Sequence, residues 1–186
     1  MRICYLDEDG RFGGPQQRML LVAKGLKKNK KISIKFLIPK KDTDIFQNKL
    51  KINELSFDKI NLTRLSLEPY IFLKYIIFFI YEIFLLYNKI KKDNFDLIQI
   101  NSTSQFKGAL VAFFLNKPSV WVIEDTNFNF IIKNIFYFLA KLANSNIVYT
   151  SREVDKYYEI KKRFKQKNTQ IFAPVDLYEF NKNKKF

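Results

Sequence analysis

The residues best suited to chemistry lie at the ends of short apolar runs. The first group is Asp9-Gly10-Arg11-Phe12-Gly13-Gly14-Pro15-Gln16-Gln17-Arg18, which follows Met1–Leu6 and precedes an amphipathic stretch. A glycine pair between a strand and its helix lets the backbone approach a ligand with no side chain in the way. The helix N-terminus behind it offers unpaired N–H groups and a partial positive charge, which suit a phosphate or a sugar hydroxyl. The same glycines also suit a plain tight turn. A second group, Glu124-Asp125-Thr126, ends the run Val120-Trp121-Val122-Ile123. Paired carboxylates there could act as base and orienter for an attacking hydroxyl, and they could equally cap a helix. Asn101-Ser102-Thr103-Ser104 and Ser151-Arg152 follow further apolar runs. Each suits a polar or anionic ligand, and each contains a good helix cap.

Several chemistries are excluded. The chain has no histidine and a single cysteine, Cys4. Ser-His-Asp and Cys-His catalysis, histidine metal ligation, internal disulfides and zinc clusters therefore fall away, and no metal site is expected. Gly10-x-x-Gly13-Gly14 lacks the dinucleotide spacing, and Ile38 is followed by Pro39-Lys40-Lys41 rather than an acid. Bound NAD or FAD is not expected, nor any other cofactor. The acids Asp7, Glu8 and Asp9 would suit a phosphoacceptor pocket, but the third and fifth strands lack the matching aspartate and lysine.

The 186 residues carry a net charge of +15, from 27 lysines and 6 arginines against 18 acids. Such an excess suits an anionic membrane surface or phosphate-bearing substrates. A coding sequence rich in A and T would also inflate Lys, Asn, Ile and Phe together. Scarce arginine argues against a nucleic-acid reader. Asp7, Glu8 and Asp9 interrupt any apolar leader, so a cytoplasmic protein is expected.

The elements that position these groups alternate. Strands are expected at Arg2–Leu6, Ile32–Ile38, Ile60–Leu65, Leu97–Asn101, Ser119–Ile123, Ile147–Thr150 and Thr169–Phe172. Helices are expected at Gln16–Lys28, Pro69–Lys92, Phe106–Leu115, Phe130–Leu142 and Ser151–Arg163, with a loop and a short helix in Lys40–Leu55. Strands separated by helices predict crossover connections, hence a mainly parallel sheet in a Rossmann-like three-layer α/β/α domain. Ligands in such sheets sit beyond the strands' carboxyl ends, where the winding reverses. The segment Tyr70–Tyr87 is apolar on nearly every side and is followed by the basic Lys89-Ile90-Lys91-Lys92. It suits burial against the fold or a partner, a position on an anionic membrane surface, or a membrane span opposed by Lys74 and Glu82.

Taken together, these junctions resemble the N-terminal domain of a family 4 (group 1) glycosyltransferase of the GT-B fold. The resemblance rests on Gly13-Gly14-Pro15-Gln16-x-Arg18, on Phe95-Asp96-Leu97-Ile98-x-Ile100-Asn101-Ser102, and on Lys117-Pro118-Ser119-Val120-Trp121-Val122-Ile123-Glu124-Asp125. It continues through Ala143-Asn144-x-x-Ile147-Val148-x-Thr150-Ser151 and Ile171-x-Ala173-Pro174-Val175-Asp176-x-x-x-Phe180-Asn181. It implies a single half-domain over 1–180 with a polar tail over 181–186 at the interdomain junction.

The resemblance implies transfer of a sugar from a nucleotide-sugar donor, with retention and without metal, in cell-surface polysaccharide synthesis. This half would bind a saccharide or lipid-linked acceptor at the inner face of the cell membrane. Gly13 and Gly14 would face the sugar and diphosphate, with Arg18 completing the motif. Glu124 and Asp125 would line the acceptor side, and Asn101, Ser102, Ser151 and Arg152 the rim. Relatives often carry histidines at the ends of the fourth and fifth strands, where this chain has Gln99 and Asn101, and Val122, Glu124 and Asp125. The donor nucleotide would belong to a second domain or a separate chain, so a truncated or split enzyme, inactive alone, is expected. The alternative is a non-catalytic adaptor that binds a membrane or a partner through segment 70–92.

Overall fold

A computed structural model describes residues 1–172 and Pro174. Seven strands, β1 (Arg2–Leu6), β2 (Ser33–Pro39), β3 (Ser56–Ile60), β4 (Leu97–Asn101), β5 (Ser119–Ile123), β6 (Asn146–Tyr149) and β7 (Asn168–Gln170), form one sheet. The order is β3-β2-β1-β4-β5-β6-β7, and every pairing is parallel. The helices are α1 (Gly14–Lys27), α2 (Asp44–Ile52), α3 (Pro69–Asp93), α4 (Phe106–Phe114), α5 (Phe130–Leu142), α6 (Arg152–Tyr158) and α7 (Ile160–Phe164). The expected Rossmann-like parallel sheet is present.

The pleat sorts the core. In β1, Ile3 and Tyr5 join a cluster with Met19 and Ala23 of α1 and Phe46 and Leu50 of α2. Their neighbours Cys4 and Leu6 join a second cluster with Leu86 of α3, Val111 of α4 and Phe136 of α5. Successive side chains of a strand point to opposite faces, so β1 is apolar on both and is covered on both. The chain winds outward from β1 through β2 to β3 and returns through α3 to β4 on β1's other side. The switch point lies between the carboxyl ends of β1 and β4.

Two expectations shift. The third strand covers Ser56–Ile60 rather than 60–65: its last partner on β2 is Pro39, and the Lys40 N–H closes the ladder by donating to the Ile60 carbonyl at 2.9 Å. Leu62 and Leu65 continue the alternation but pack against the core from a loop. The last expected helix is broken at Glu159, which adopts a left-handed conformation (φ 46°) between α6 and α7. Apart from Ile171, Phe172 and Pro174, the motif expected to leave the domain lies outside the described residues, as do the boundary at 180 and the tail 181–186.

Two helical glycines have opposite roles. A Cβ on Gly108 of α4 would lie 2.6 Å from Leu6 Cδ2 and 3.1 Å from Ile100 Cγ1, so α4 approaches the sheet through this gap. Gly108→Ala is expected to destabilise by about 1–3 kcal/mol through overpacking. A Cβ on Gly25 of α1 would meet nothing within 4 Å. Gly25→Ala should therefore stabilise by about 0.5–1 kcal/mol. Urea midpoints of the two variants check both signs.

Candidate functional site

The loops after β1, β4 and β5 and the start of α1 meet at the switch point. Gly13 is the N-cap of α1 and Gly14 its first residue, and both are exposed. Neither needs to be glycine for its backbone or packing. Gly13 is extended (φ −151°), a Cβ on it would lie 3.6 Å from Gln16 Oε1, and a Cβ on Gly14 would meet nothing within 4 Å. Gly10 differs, since a Cβ there would lie 2.3 Å from Thr43 Cγ2. The room at Gly13-Gly14 faces outward at a helix N-terminus, where an anion or hydroxyl is favoured.

Gln16 fixes this corner. Its Oε1 accepts from Gly13 N–H at 3.1 Å, and its Nε2 donates to Asp7 Oδ2 at 2.8 Å and to the Asp9 carbonyl at 3.1 Å. The other oxygen of Asp7 accepts from Gln105 Nε2 at 2.7 Å and from Asp9 N–H at 3.2 Å. Asp7 is fully buried, and burial pushes its carboxyl up to about 7 despite these donors. Both glutamines were missed in the sequence as site-building residues, although Gln16 lies inside the quoted motif.

Arg18, Asn101 and Glu124 come together below this corner. Arg18 Nη2 donates to Asn101 Oδ1 at 2.8 Å, and its Nε donates to Glu124 Oε1. Asn101 Nδ2 in turn donates to the Leu6 carbonyl at 3.2 Å. Arg18 is thus committed internally, and its role is to hold Glu124 and the end of β4 together.

Asp125 heads a separate group. It accepts from Tyr158 Oη at 3.2 Å, Ser102 Oγ at 3.3 Å and Thr103 Oγ1 at 3.4 Å. Burial raises its carboxyl above the ordinary range. Ser102 sits in the left-handed region (φ 64°), which is uncommon for a residue with a side chain. It is held there by Trp121 Nε1, which donates to its carbonyl at 2.8 Å, and by its own N–H, which donates to the Val122 carbonyl at 3.0 Å. Strain of this kind persists only where surrounding contacts over-determine it.

A cleft of about 750 Å³ opens over this edge, lined among others by Gly13, Gln16, Ser102, Ser104, Gln105 and Asn129. Of the expected site residues, only Gly13 and Ser102 line it. The loop Arg64–Leu67 forms part of its wall, although the alternation of Ile60–Leu65 predicts a strand over the first two of these residues. Ser151 caps α6, its Oγ accepting from Val154 N–H at 3.2 Å, and Arg152 is exposed beside it. Neither lines the cleft.

No protein-family profile matches the chain, and no curated protein sequence matches it. Solved structures do. A structure of Anabaena HepE in complex with UDP superposes with a TM-score of 0.73 at 16% identity, covering 96% of this chain and 45% of that one. A glycosyltransferase from Rickettsia africae gives 0.67 at 17%, covering 100% and 46%. UDP-GlcNAc 2-epimerase from Neisseria meningitidis bound to UDP-GlcNAc gives 0.65 at 16%, covering 91% and 45%. The chain thus spans about half the length of each. Likeness at such identity is likeness of fold, and the fold is the Rossmann-like half of a two-domain GT-B architecture.

Proposed function

We propose that the chain is the acceptor-binding half of a retaining, family 4-like glycosyltransferase of cell-surface polysaccharide synthesis. Its donor would be a nucleotide-sugar and its acceptor a saccharide or a lipid-linked saccharide. The observation that carries this reading is the exposed Gly13-Gly14 corner at the N-terminus of α1, where neither glycine is needed for backbone or packing and Gly13 lines the cleft at the switch point. The UDP and UDP-GlcNAc of the HepE and epimerase structures support a nucleotide-sugar as partner. The donor half would be a second domain or a separate chain, and without it this half would not turn over.

In this reading Gly13 and Gly14 face the donor's diphosphate and sugar. Asp125, with its raised carboxyl, takes up the acceptor hydroxyl's proton or orients that hydroxyl. Glu124 and Asn101, locked by Arg18, hold the strand ends in place, with Ser102 on the acceptor wall. Ser151 and Arg152 stay at the outer rim. The chain would work in the cytoplasm at the inner face of the cell membrane. Support for that position comes from α3, α4 and α5, which expose Leu73, Ile77, Ile80, Phe84, Phe114 and Phe138. The same exposed face favours the second reading, a non-catalytic membrane or partner adaptor.

Sugar transfer by the enzyme reconstituted with its donor half separates the two. Gly14→Trp adds a side chain into open space. It should leave the melting temperature unchanged and lower transfer by about a hundredfold or more, by blocking the approach of the reacting groups. Glu124→Ala should lower transfer as well. Full transfer in both variants would sink the enzymatic reading of this edge and favour the adaptor.

A further inference from the structure

A second cavity, of about 400 Å³, lies on one flank of α3. Its walls are the turn Lys40-Lys41-Asp42 after β2, the loop 61–64 after β3, and Tyr70, Lys74, Phe78 and Tyr81 of α3. Among the described residues, no carboxylate lies within ion-pair distance of Lys40, Lys41 or Lys74. Of the cavity's other charges, only the exposed Asp42 carboxylate is in no ion pair among the described residues. Glu8 and Glu82 are held by Lys107, Asp9 by Arg11, and Arg64 by Glu68. Lys74 Nζ sits 4.2 Å over the Tyr70 ring and lowers that phenol's titration. Three lysines against the one carboxylate of Asp42 leave the half-open pocket with an excess of positive charge beside an aromatic lip.

The lip is continuous with the apolar crest of α3. At 100° per residue, Tyr70, Lys74 and Tyr81 fall between the pocket flank and the exposed Leu73, Ile77, Ile80 and Phe84. A crest that enters the boundary between head groups and acyl chains brings this flank to phosphate level. Aromatic rings and lysines are the residues that settle there.

We propose that this pocket binds the phosphate of a lipid head group at an anionic membrane surface, with Lys40, Lys41 and Lys74 as its ligands. The proposal rests on the membrane-docking part of the reading above and adds the head-group chemistry and the residues that select it. Its chemistry is ionic and apolar together: the lysines neutralise the phosphate while the crest holds the acyl chains.

Flotation of the chain with phosphatidylcholine vesicles, and with vesicles containing phosphatidylglycerol, tests it. The wild-type chain should bind both and prefer the anionic vesicles. Lys40→Gln/Lys41→Gln/Lys74→Gln should lower binding to the anionic vesicles by about tenfold or more, while binding to phosphatidylcholine persists. The charge-matched control Lys28→Gln/Lys30→Gln/Lys51→Gln changes exposed lysines elsewhere and should lose far less. Equal losses in the two triple variants would assign the attraction to net charge and overturn the pocket. Equal wild-type binding to both vesicles would overturn the pocket and leave the apolar docking standing, whereas no binding to either would overturn the docking itself. Inorganic phosphate should displace the chain no better than chloride at matched ionic strength. Selective displacement by phosphate would identify a free-anion site and overturn the lipid assignment. Sugar transfer is not the readout, so an inactive enzyme would leave these outcomes intact.

Discussion

Replacing Lys107 with methionine is expected to destabilise the fold by about 3–5 kcal/mol, the usual result of stripping the partner from a buried charge. Lys107 is fully buried in the first turn of α4. Its Nζ lies 3.0 Å from Glu8 Oε2 and 2.8 Å from Glu82 Oε2, and 4.2 Å over the Tyr75 ring. Glu8 and Glu82 are themselves only 2% and 3% exposed. Glu82 also accepts from Thr63 N–H at 3.0 Å and from Thr63 Oγ1 at 2.7 Å. One ammonium thus joins the end of β1, the loop before α3, α3 itself and α4. Without it, two buried carboxylates face each other, and burial already raises Glu8 above its ordinary range. Urea unfolding measures the loss. Lys107→Met/Glu8→Gln/Glu82→Gln should recover most of it, because neutral groups of similar shape carry no unpaired charge. Lys89→Met is the contrast: its partners Asp58 and Asp93 sit in a wetter network, and the cost should stay near 1 kcal/mol or below. A loss at Lys107 as small as that at Lys89 would refute the assignment.

That cluster marks where the sequence stops being legible. Alternation and crossover spacing are local, so the parallel sheet, its order of elements and the glycine corner are readable from residues a few positions apart. The partners of the charges are not. Arg18 meets Glu124 across 106 positions, Lys107 meets Glu8 across 99, and Gln105 meets Asp7 across 98. Those pairs exist only once β1, β4 and β5 lie side by side. The consequence for the site is specific. Glu124 and Asp125 read alike as adjacent acids, yet one is tied to an arginine and the other is ringed by hydroxyls. The break at Glu159 was equally hidden, since no glycine or proline marks it. At Ser151 the capping role was legible and is the one realised, with its hydroxyl turned to α6.

Stability is expected to fall as pH rises from about 4 to about 7, with Asp7 as the main contributor. The carboxyl titrates near 3.8 when unfolded and at about 7 when folded. Below 3.8 it is protonated in both states and contributes no pH dependence. Between the two values the folded chain holds a proton that the unfolded chain has released, so each step upward in pH favours unfolding. Above the folded value the penalty is constant, on the order of 4 kcal/mol. Burial at Glu8 and Asp125 acts with the same sign. Asp7→Asn should flatten the profile without abolishing it. At acid pH, where Asp7 is protonated, it should cost about 1–3 kcal/mol because a buried donor is left unpaired, whereas above the folded value the absent ionisation penalty should outweigh that cost. Gln16 Oε1 is already taken by Gly13 N–H and Gln105 Oε1 by Asn101 N–H, so neither amide is free to turn its oxygen toward an asparagine NH₂. Melting temperatures at acid and alkaline pH measure the slope, and a variant whose profile runs parallel to the wild type would remove Asp7 from this role. The same ionisation bears on the cleft. Asp7 holds Gln16, Gln16 holds Gly13, and the glycine corner that opens the cleft is therefore built on a carboxyl that titrates near neutrality.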